Sequence, residues 1–292
     1  MTVDQYTGLQ RPNLSWLIHG LIPRPSMMML MGPPKAGKSW LAMDIARAVA
    51  GGEDFLGHKT QQGRVLYIQQ DTSEAVWRDR LTKQIALFGI QFPPDLLMVH
   101  PDDTLHPVDI LQPTSRAWFK SAVETVKPAL VIIDVLREIH NADENDSTAM
   151  KLVGDHLSAL FSNVALLLVH HMKKIPAEVS NPDPATYGRG STYITGKMDG
   201  YWMLHKNQLR LESRFEEASS YRAVHEEDGT WSFPEVTAQQ AATSKVLALC
   251  AEYPDRSHHA LADEAKARWG MSRASYYRHL KGRSCAHLGS ST

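Results

Sequence analysis

The sequence predicts an α/β fold: a doubly wound, mostly parallel sheet with an antiparallel extension, followed by a small all-α domain of the helix-turn-helix kind. Three observations predict it. From residue 26 onward, short apolar runs rich in branched residues alternate with longer amphipathic stretches, the pattern of β-α-β units. After Gly196 the pattern changes to short alternating segments with turn signals between them. Past a linker at residues 234–240, three short amphipathic segments within 242–283 are separated by Pro254-Asp255 and by Gly270. The domains expected are therefore 1–236 and 237–292.

Taken in order, the apolar runs place strands at 26–31, 64–69, 96–100, 129–134 and 164–169. Helices fit at 38–50, 73–89, 115–126 and 148–162, each following a strand at a short connection. The antiparallel segments are 201–204, 209–214, 221–225 and 230–233, with Asp228-Gly229 as a hairpin turn.

Composition narrows the function classes. With 292 residues, 43% hydrophobic and 22% charged, the chain has enough apolar content for a sizeable core. The longest apolar runs fall far short of the roughly 18 residues a membrane helix needs. The first dozen residues lack a basic segment followed by an apolar one, so a cytoplasmic location and no membrane partner are expected. Cys250 and Cys285 are the only cysteines, and neither lies in a C-x-x-C spacing, which excludes a disulfide framework or a zinc site of that type. A net charge of -1 excludes a globally basic nucleic-acid binder, though local basic surface remains open.

The first chemical motif is G-x-x-x-x-G-K-S, read as Gly32, Pro33, Pro34, Lys35, Ala36, Gly37, Lys38 and Ser39, with Trp40 next in line. It follows an apolar strand and opens a helix, the context a phosphate-binding loop requires. Glycines let the backbone curl so that successive N–H groups face a phosphate, and the helix adds its positive end. Lys38 is placed to reach the β- and γ-phosphates of ATP and Ser39 to ligate Mg²⁺, while Lys35 lies in the loop interior. The second motif is the run 129–134, ALVIID, a buried strand ending in Asp134. That is the form of a Walker B element, whose aspartate holds the magnesium through water.

Several blocks then fall in one order: Walker A, VLYIQQDTSEAVWRDRL, LVIIDVLREIHNADEN, LLLVHHMKK and YGRGSTY. This order resembles RecA-fold ATPases, among them the hexameric replicative helicases of the plasmid RepA type, over about residues 12–225. The resemblance implies a RecA-like sheet, nucleotide at subunit interfaces of a homohexamer, and single-stranded DNA in a central channel. It implies that Asp71, where the family usually carries glutamate, polarises the attacking water; Glu74 is a fallback base or, equally, a charge in the first turn of the helix that begins at Ser73. It implies that His171 senses the γ-phosphate, in preference to His170, and that Lys173 and Lys174 open a channel loop. Arg189 matches the family position for an arginine acting on a neighbour's nucleotide. Arg214 resembles the K-x-R element of other ring helicases, with Glu212 where their lysine stands. Arg137, just past Walker B, is a further candidate for phosphate or channel contacts.

In residues 271–283, Arg273, Arg278, Lys281 and Arg283 occur without an acidic residue and with Tyr276 and Tyr277 among them. A helix of this composition suits a DNA backbone. The function expected is an ATP-driven DNA translocase or helicase; the alternative is a DNA-binding regulatory or recombination ATPase that does not unwind.

Overall fold

A computed structural model describes residues 15–100, 108–173, 175–176, 184–187, 192–234, 246, 249–250, 252–253 and 256–280. The chain divides into two compact units, residues 1–174 with 183–233 and residues 175–182 with 234–292.

The larger unit is built on an eight-stranded sheet. Its strands are β3 (Ser26–Gly32), β4 (Val65–Gln69), β5 (Leu96–Val99), β6 (Leu130–Asp134), β7 (Ala165–His171), β8 (Gly200–His205), β9 (Gln208–Ser213) and β10 (Ser219–Arg222), in the order β10-β9-β8-β3-β7-β6-β4-β5. A short antiparallel pair, β1 (Ser15–Ile18) and β2 (Ile22–Arg24), precedes it and had no clear sequence signal. Helices α1 (Lys38–Gly51), α2 (Glu74–Phe88), α3 (Pro113–Val126) and α4 (Ser147–Leu160) connect the parallel strands. Every residue of β3, β4 and β6 is buried. These strands read as continuous apolar runs because helices cover both faces of a parallel sheet.

The antiparallel extension differs from the sequence expectation in two ways. Residues 200–205 run parallel to β3, with Met28 opposite Gly200 and Met31 opposite Met203, so the antiparallel part begins only at β9. The β8–β9 turn needs left-handed backbone at Lys206 and Asn207, both at positive φ. The expected strand 221–225 is also divided. β10 ends at Arg222, and β11 (Val224–His225) leaves the large sheet to pair with β12 (Trp231–Ser232) in a separate hairpin. The break falls at Ala223, which is buried and whose N–H donates to Asn207 O at 2.9 Å. The Asp228-Gly229 turn is present, with Gly229 at φ 83°.

In the smaller unit, α7 (His258–Trp269) and α8 (Arg273–Leu280) are joined through Gly270 at φ 64°; α5 (Pro184–Tyr187) and α6 (Thr192–Gly196) belong to the larger unit. Val246, Leu249 and Cys250 are helical and pack with Leu261, Ala262, Ala265 and Tyr276. Among the described residues, no helix is long and apolar enough to cross a membrane.

Candidate functional site

In a parallel sheet, ligands gather beyond the carboxyl ends of the strands, and there the candidate residues converge. Gly32 lies opposite His171 across β3 and β7, and Asp134 opposite Gln69 across β6 and β4. Two N–H groups, of Gln70 and Asp71, donate to Asp134 O at 2.7 and 3.3 Å and tie the end of β4 to the end of β6. The Met172 N–H donates to Gly32 O at 3.2 Å, which continues the pairing of β7 into the loop.

The loop 32–39 depends on both its glycines. At Gly32 a Cβ would lie 2.5 Å from Leu204 O, so β8 approaches too closely for any side chain. Gly37 stands at φ 87°, where a side chain is strained. Lys35 also adopts positive φ, at the exposed tip of the loop beside Pro34. Ala36 N–H donates back to Pro33 O at 3.3 Å.

Lys38 is 5% exposed, so its ammonium sits inside the protein. It donates to Pro33 O at 3.0 Å and approaches His171 Nδ1 at 3.4 Å. Burial lowers its pKa, while Asp134 and then Asp71 act to raise it. With an ammonium donating to Nδ1, the neutral His171 ring carries its proton on Nε2, which faces Asp71 Oδ1 at 4.0 Å. His171 thus spans the loop lysine and the candidate carboxylate. His170, its neighbour in the strand, points to the other face, is buried, and lies near His140. Burial and the charge of Arg137 hold His140 down to about pKa 4.

Asp134 is fully buried, and burial lifts its pKa to about 6 against the opposing influence of the nearby Ser39 hydroxyl and of the hydrogen bond from Tyr67. Tyr67 donates to Asp134 Oδ2 at 2.8 Å. Asp134 Oδ1 has no hydrogen-bond partner among the described residues. A buried carboxylate oxygen left open beside a serine hydroxyl fits a hard divalent cation, which takes oxygen ligands of this kind. Tyr67 was not singled out from the sequence. The signal was present: a tyrosine inside a buried strand needs a partner for its hydroxyl.

Behind the loop, Trp40 stacks on Trp77 with ring centroids 5.5 Å apart, and Trp77 on Tyr67 at 6.2 Å. The Trp40 indole is therefore part of the scaffold behind the loop. This aromatic column links the helix after the loop to the tyrosine that holds Asp134.

The remaining candidates are distributed as follows. Glu74 opens α2 and pairs with Arg78 at 2.6 Å. The Arg137 guanidinium donates to Ala142 O at 3.0 Å and to His140 O at 3.4 Å, closing its own loop. Lys173 is exposed just after β7, and its N–H donates to Tyr187 O at 2.9 Å. Arg214 donates to Gly196 O at 2.8 Å, and its N–H to Asp199 O at 2.9 Å. In the small unit, Arg273 makes a two-pronged pair with Asp263 at 2.8 and 2.7 Å, and Arg278 is exposed. Arg189, Lys174 and Lys281 lie outside the described residues.

A further titratable group, Asp44 on α1, was not anticipated. Its Oδ2 accepts the Trp231 N–H at 2.6 Å, and Arg47 lies 3.7 Å from its Oδ1. Burial raises its pKa to about 7, assisted by Asp228 and opposed by Trp231 and Arg47. The folded state therefore holds this proton more tightly than the unfolded chain, whose value is near 3.8. The stability it contributes is complete below about pH 4 and is lost as pH rises through about 7. Asp44→Asn removes this dependence. The stability of the wild type relative to the variant, read from urea melts, is expected to fall by up to about 1.4 kcal/mol per pH unit between pH 4 and 7. A constant difference across that range contradicts the assignment.

Comparison with known proteins gives a family model described as AAA domain, which matches residues 1–177. Among solved structures, one described as an ATPase domain aligns with a TM-score of 0.53 and 13% identity, over 72% of this chain and 85% of that one. A KaiC-like protein, PH0186 from the hyperthermophilic archaeon Pyrococcus horikoshii OT3, aligns with a TM-score of 0.49 and 12% identity, over 75% of this chain and 94% of that one. The likeness to the first of these concerns the fold: a mostly parallel sheet with the glycine loop at the carboxyl end of β3.

Proposed function

We propose, on the premise that this chain belongs to the AAA domain family and is a P-loop ATPase of RecA-like fold, that it couples ATP hydrolysis to movement along single-stranded DNA as a ring of identical subunits. In this reading Lys38 meets the β- and γ-phosphates, Ser39 and Asp134 hold Mg²⁺, Asp71 orients the attacking water, and His171 reports the γ-phosphate to β7. The metal, when bound, neutralises charge on the phosphate oxygens. Burial of Lys38 and Asp134 strengthens each of these interactions by excluding water.

The observation that carries the ring reading is the position of Arg214. Its backbone is joined to Asp199, which pairs with Met27 near the start of β3, whereas the phosphate loop begins at Gly32. Five residues of strand separate the two levels, roughly 16 Å. An arginine at that end of the sheet cannot serve the nucleotide of its own subunit. To reach a neighbour's it must exchange its own partners, Gly196 O and Asp199, and among the described residues the charges acting on Lys38 are the carboxylates of Asp134 and Asp71. An arginine supplied across a boundary is the element such a site gains most from. Arg189 fills the same role by resemblance. Lys173 and Lys174 are assigned to the DNA channel, and Arg273, Arg278 and Lys281 to a second DNA surface in which Arg273 must first exchange its partner Asp263.

A forked-duplex displacement assay with ATP, run beside electron microscopy of the particle, tests the proposal. Displacement that requires hydrolysis, by closed rings, is expected. Turnover stimulated by DNA without displacement would favour the regulatory alternative, which the short carboxylate at Asp71 suits. Turnover indifferent to every DNA form would remove DNA from the mechanism altogether.

A further inference from the structure

The hairpin formed by β11 and β12 returns from the edge of the large sheet to the back of the phosphate loop, and one residue makes the contact. Trp231 is held in three ways. Its backbone N–H donates to Asp44 Oδ2 at 2.6 Å, and its indole N–H donates to Gly37 O at 3.2 Å. Its ring lies so near Gly37 that a Cβ there would be 2.6 Å from Cζ2. The turn of the hairpin is anchored separately. Gln84 of α2, itself buried, donates to Asp228 O at 2.9 Å, and Asp228 Oδ1 accepts from Thr230 N at 2.8 Å and Thr230 Oγ1 at 2.6 Å. The hairpin is thus pinned to both α1 and α2.

The carbonyl that Trp231 grips belongs to the same planar peptide as the N–H of Lys38. In a trans peptide the C=O and the N–H point in opposite directions, so fixing one fixes the other. Glycine is the residue whose flanking peptide turns most readily, because no side chain restricts it. Gly37 O accepts from Leu41 N at 3.0 Å as the first bond of α1 and from the indole at 3.2 Å, which engages both of its lone pairs.

We propose that Trp231 is a positioning residue for nucleotide binding: it locks the Gly37–Lys38 peptide so that the Lys38 N–H faces the phosphates. The proposal rests on the reading of 32–39 as the phosphate loop and is independent of the DNA assignment. Its consequence is specific. A backbone N–H in this loop serves a phosphate present in both ADP and ATP, so losing its fixed orientation weakens the two ligands equally and leaves the chemical step alone.

The test uses Trp231→Phe, which keeps an aromatic ring while removing the indole donor and the part of the ring system that lies against Gly37. Affinities for ADP and ATP are measured by calorimetry, with turnover and melting temperature alongside. Both affinities are expected to fall by about fivefold, the effect of one neutral hydrogen bond, with KM raised and kcat unchanged. A lower melting temperature with wild-type affinities would make Trp231 a packing residue and overturn the proposal. Lys38→Ala separates the two readings. If it binds and hydrolyses ATP as the wild type does, the phosphate-loop reading itself fails; if it is inactive while Trp231→Phe binds normally, only the role of Trp231 falls. Should Trp231→Phe not fold, Gln84→Ala releases the turn of the hairpin without touching the loop. An equal loosening of ADP and ATP by about twofold supports the proposal, and unchanged affinities overturn it.

Discussion

Lys38→Ala is expected to reduce ATP turnover by at least about a hundredfold, to the background of a phosphate-release assay. The reason lies in the burial of the ammonium. At 5% exposure Lys38 is held where water does not screen it, so its attraction for the β- and γ-phosphates far exceeds that of a surface lysine. Among the described residues no second cation acts on Lys38. Lys35 sits at the exposed loop tip at positive φ. The fold itself is expected to survive. Burial already lowers the pKa of Lys38, so removing the group relieves a desolvation penalty while forfeiting the bond to Pro33 O. A variant with normal melting behaviour and wild-type turnover would remove the loop from the mechanism.

The second large effect concerns Asp71. Asp71→Asn is expected to abolish turnover while nucleotide affinity stays near wild type, because in the proposed role the carboxylate orients water rather than gripping the ligand. Asp71→Glu is the sharper experiment. Asp71 is half-exposed at the mouth of the site, and its Oδ1 stops 4.0 Å from His171 Nε2, beyond a direct hydrogen bond. One more methylene carries the carboxylate about 1 Å further, and a displacement of that size is worth on the order of a hundredfold in rate. Single-turnover hydrolysis by the glutamate variant is therefore expected to equal or exceed the wild type. Complete loss would transfer the role to another carboxylate. Glu74 would be a poor heir, since it is occupied with Arg78 in the first turn of α2.

What was legible in the sequence follows from the range of the contacts involved. The strand, loop and helix around Gly32 to Trp40, and the strand ending in Asp134, were readable because their pattern is local: an apolar run, glycines at fixed spacing, then a helical period. His171 was preferred to His170 only through the match of the residues after it to the family pattern; that alternation along β7 sends the two rings to opposite faces is seen in the structure. The fold class was legible for the same reason, although the direction of residues 200–205 was not, since nothing in a single strand tells which partner it will choose. The contacts that complete the site are long-range. Trp231 meets Asp44 across 187 residues and Gly37 across 194, and no window of sequence contains both ends of either bond. Composition likewise revealed the cations of 271–283 without revealing that Asp263 had claimed Arg273.

The approach of Leu204 to Gly32 has an evolutionary consequence. Glycine at that position is demanded by the neighbouring strand, whatever occupies the loop, and glycine at 37 is demanded again by the ring of Trp231. A duplicated copy released from selection for catalysis would keep both glycines in order to fold, while Lys38, a buried cation that the fold alone does not require, would be free to drift to an apolar residue. Decayed paralogues of this chain should therefore retain the spacing G-x-x-x-x-G with the lysine gone. Among its descendants, identity at Lys38 distinguishes a working ATPase from a silent scaffold, and the glycines do not.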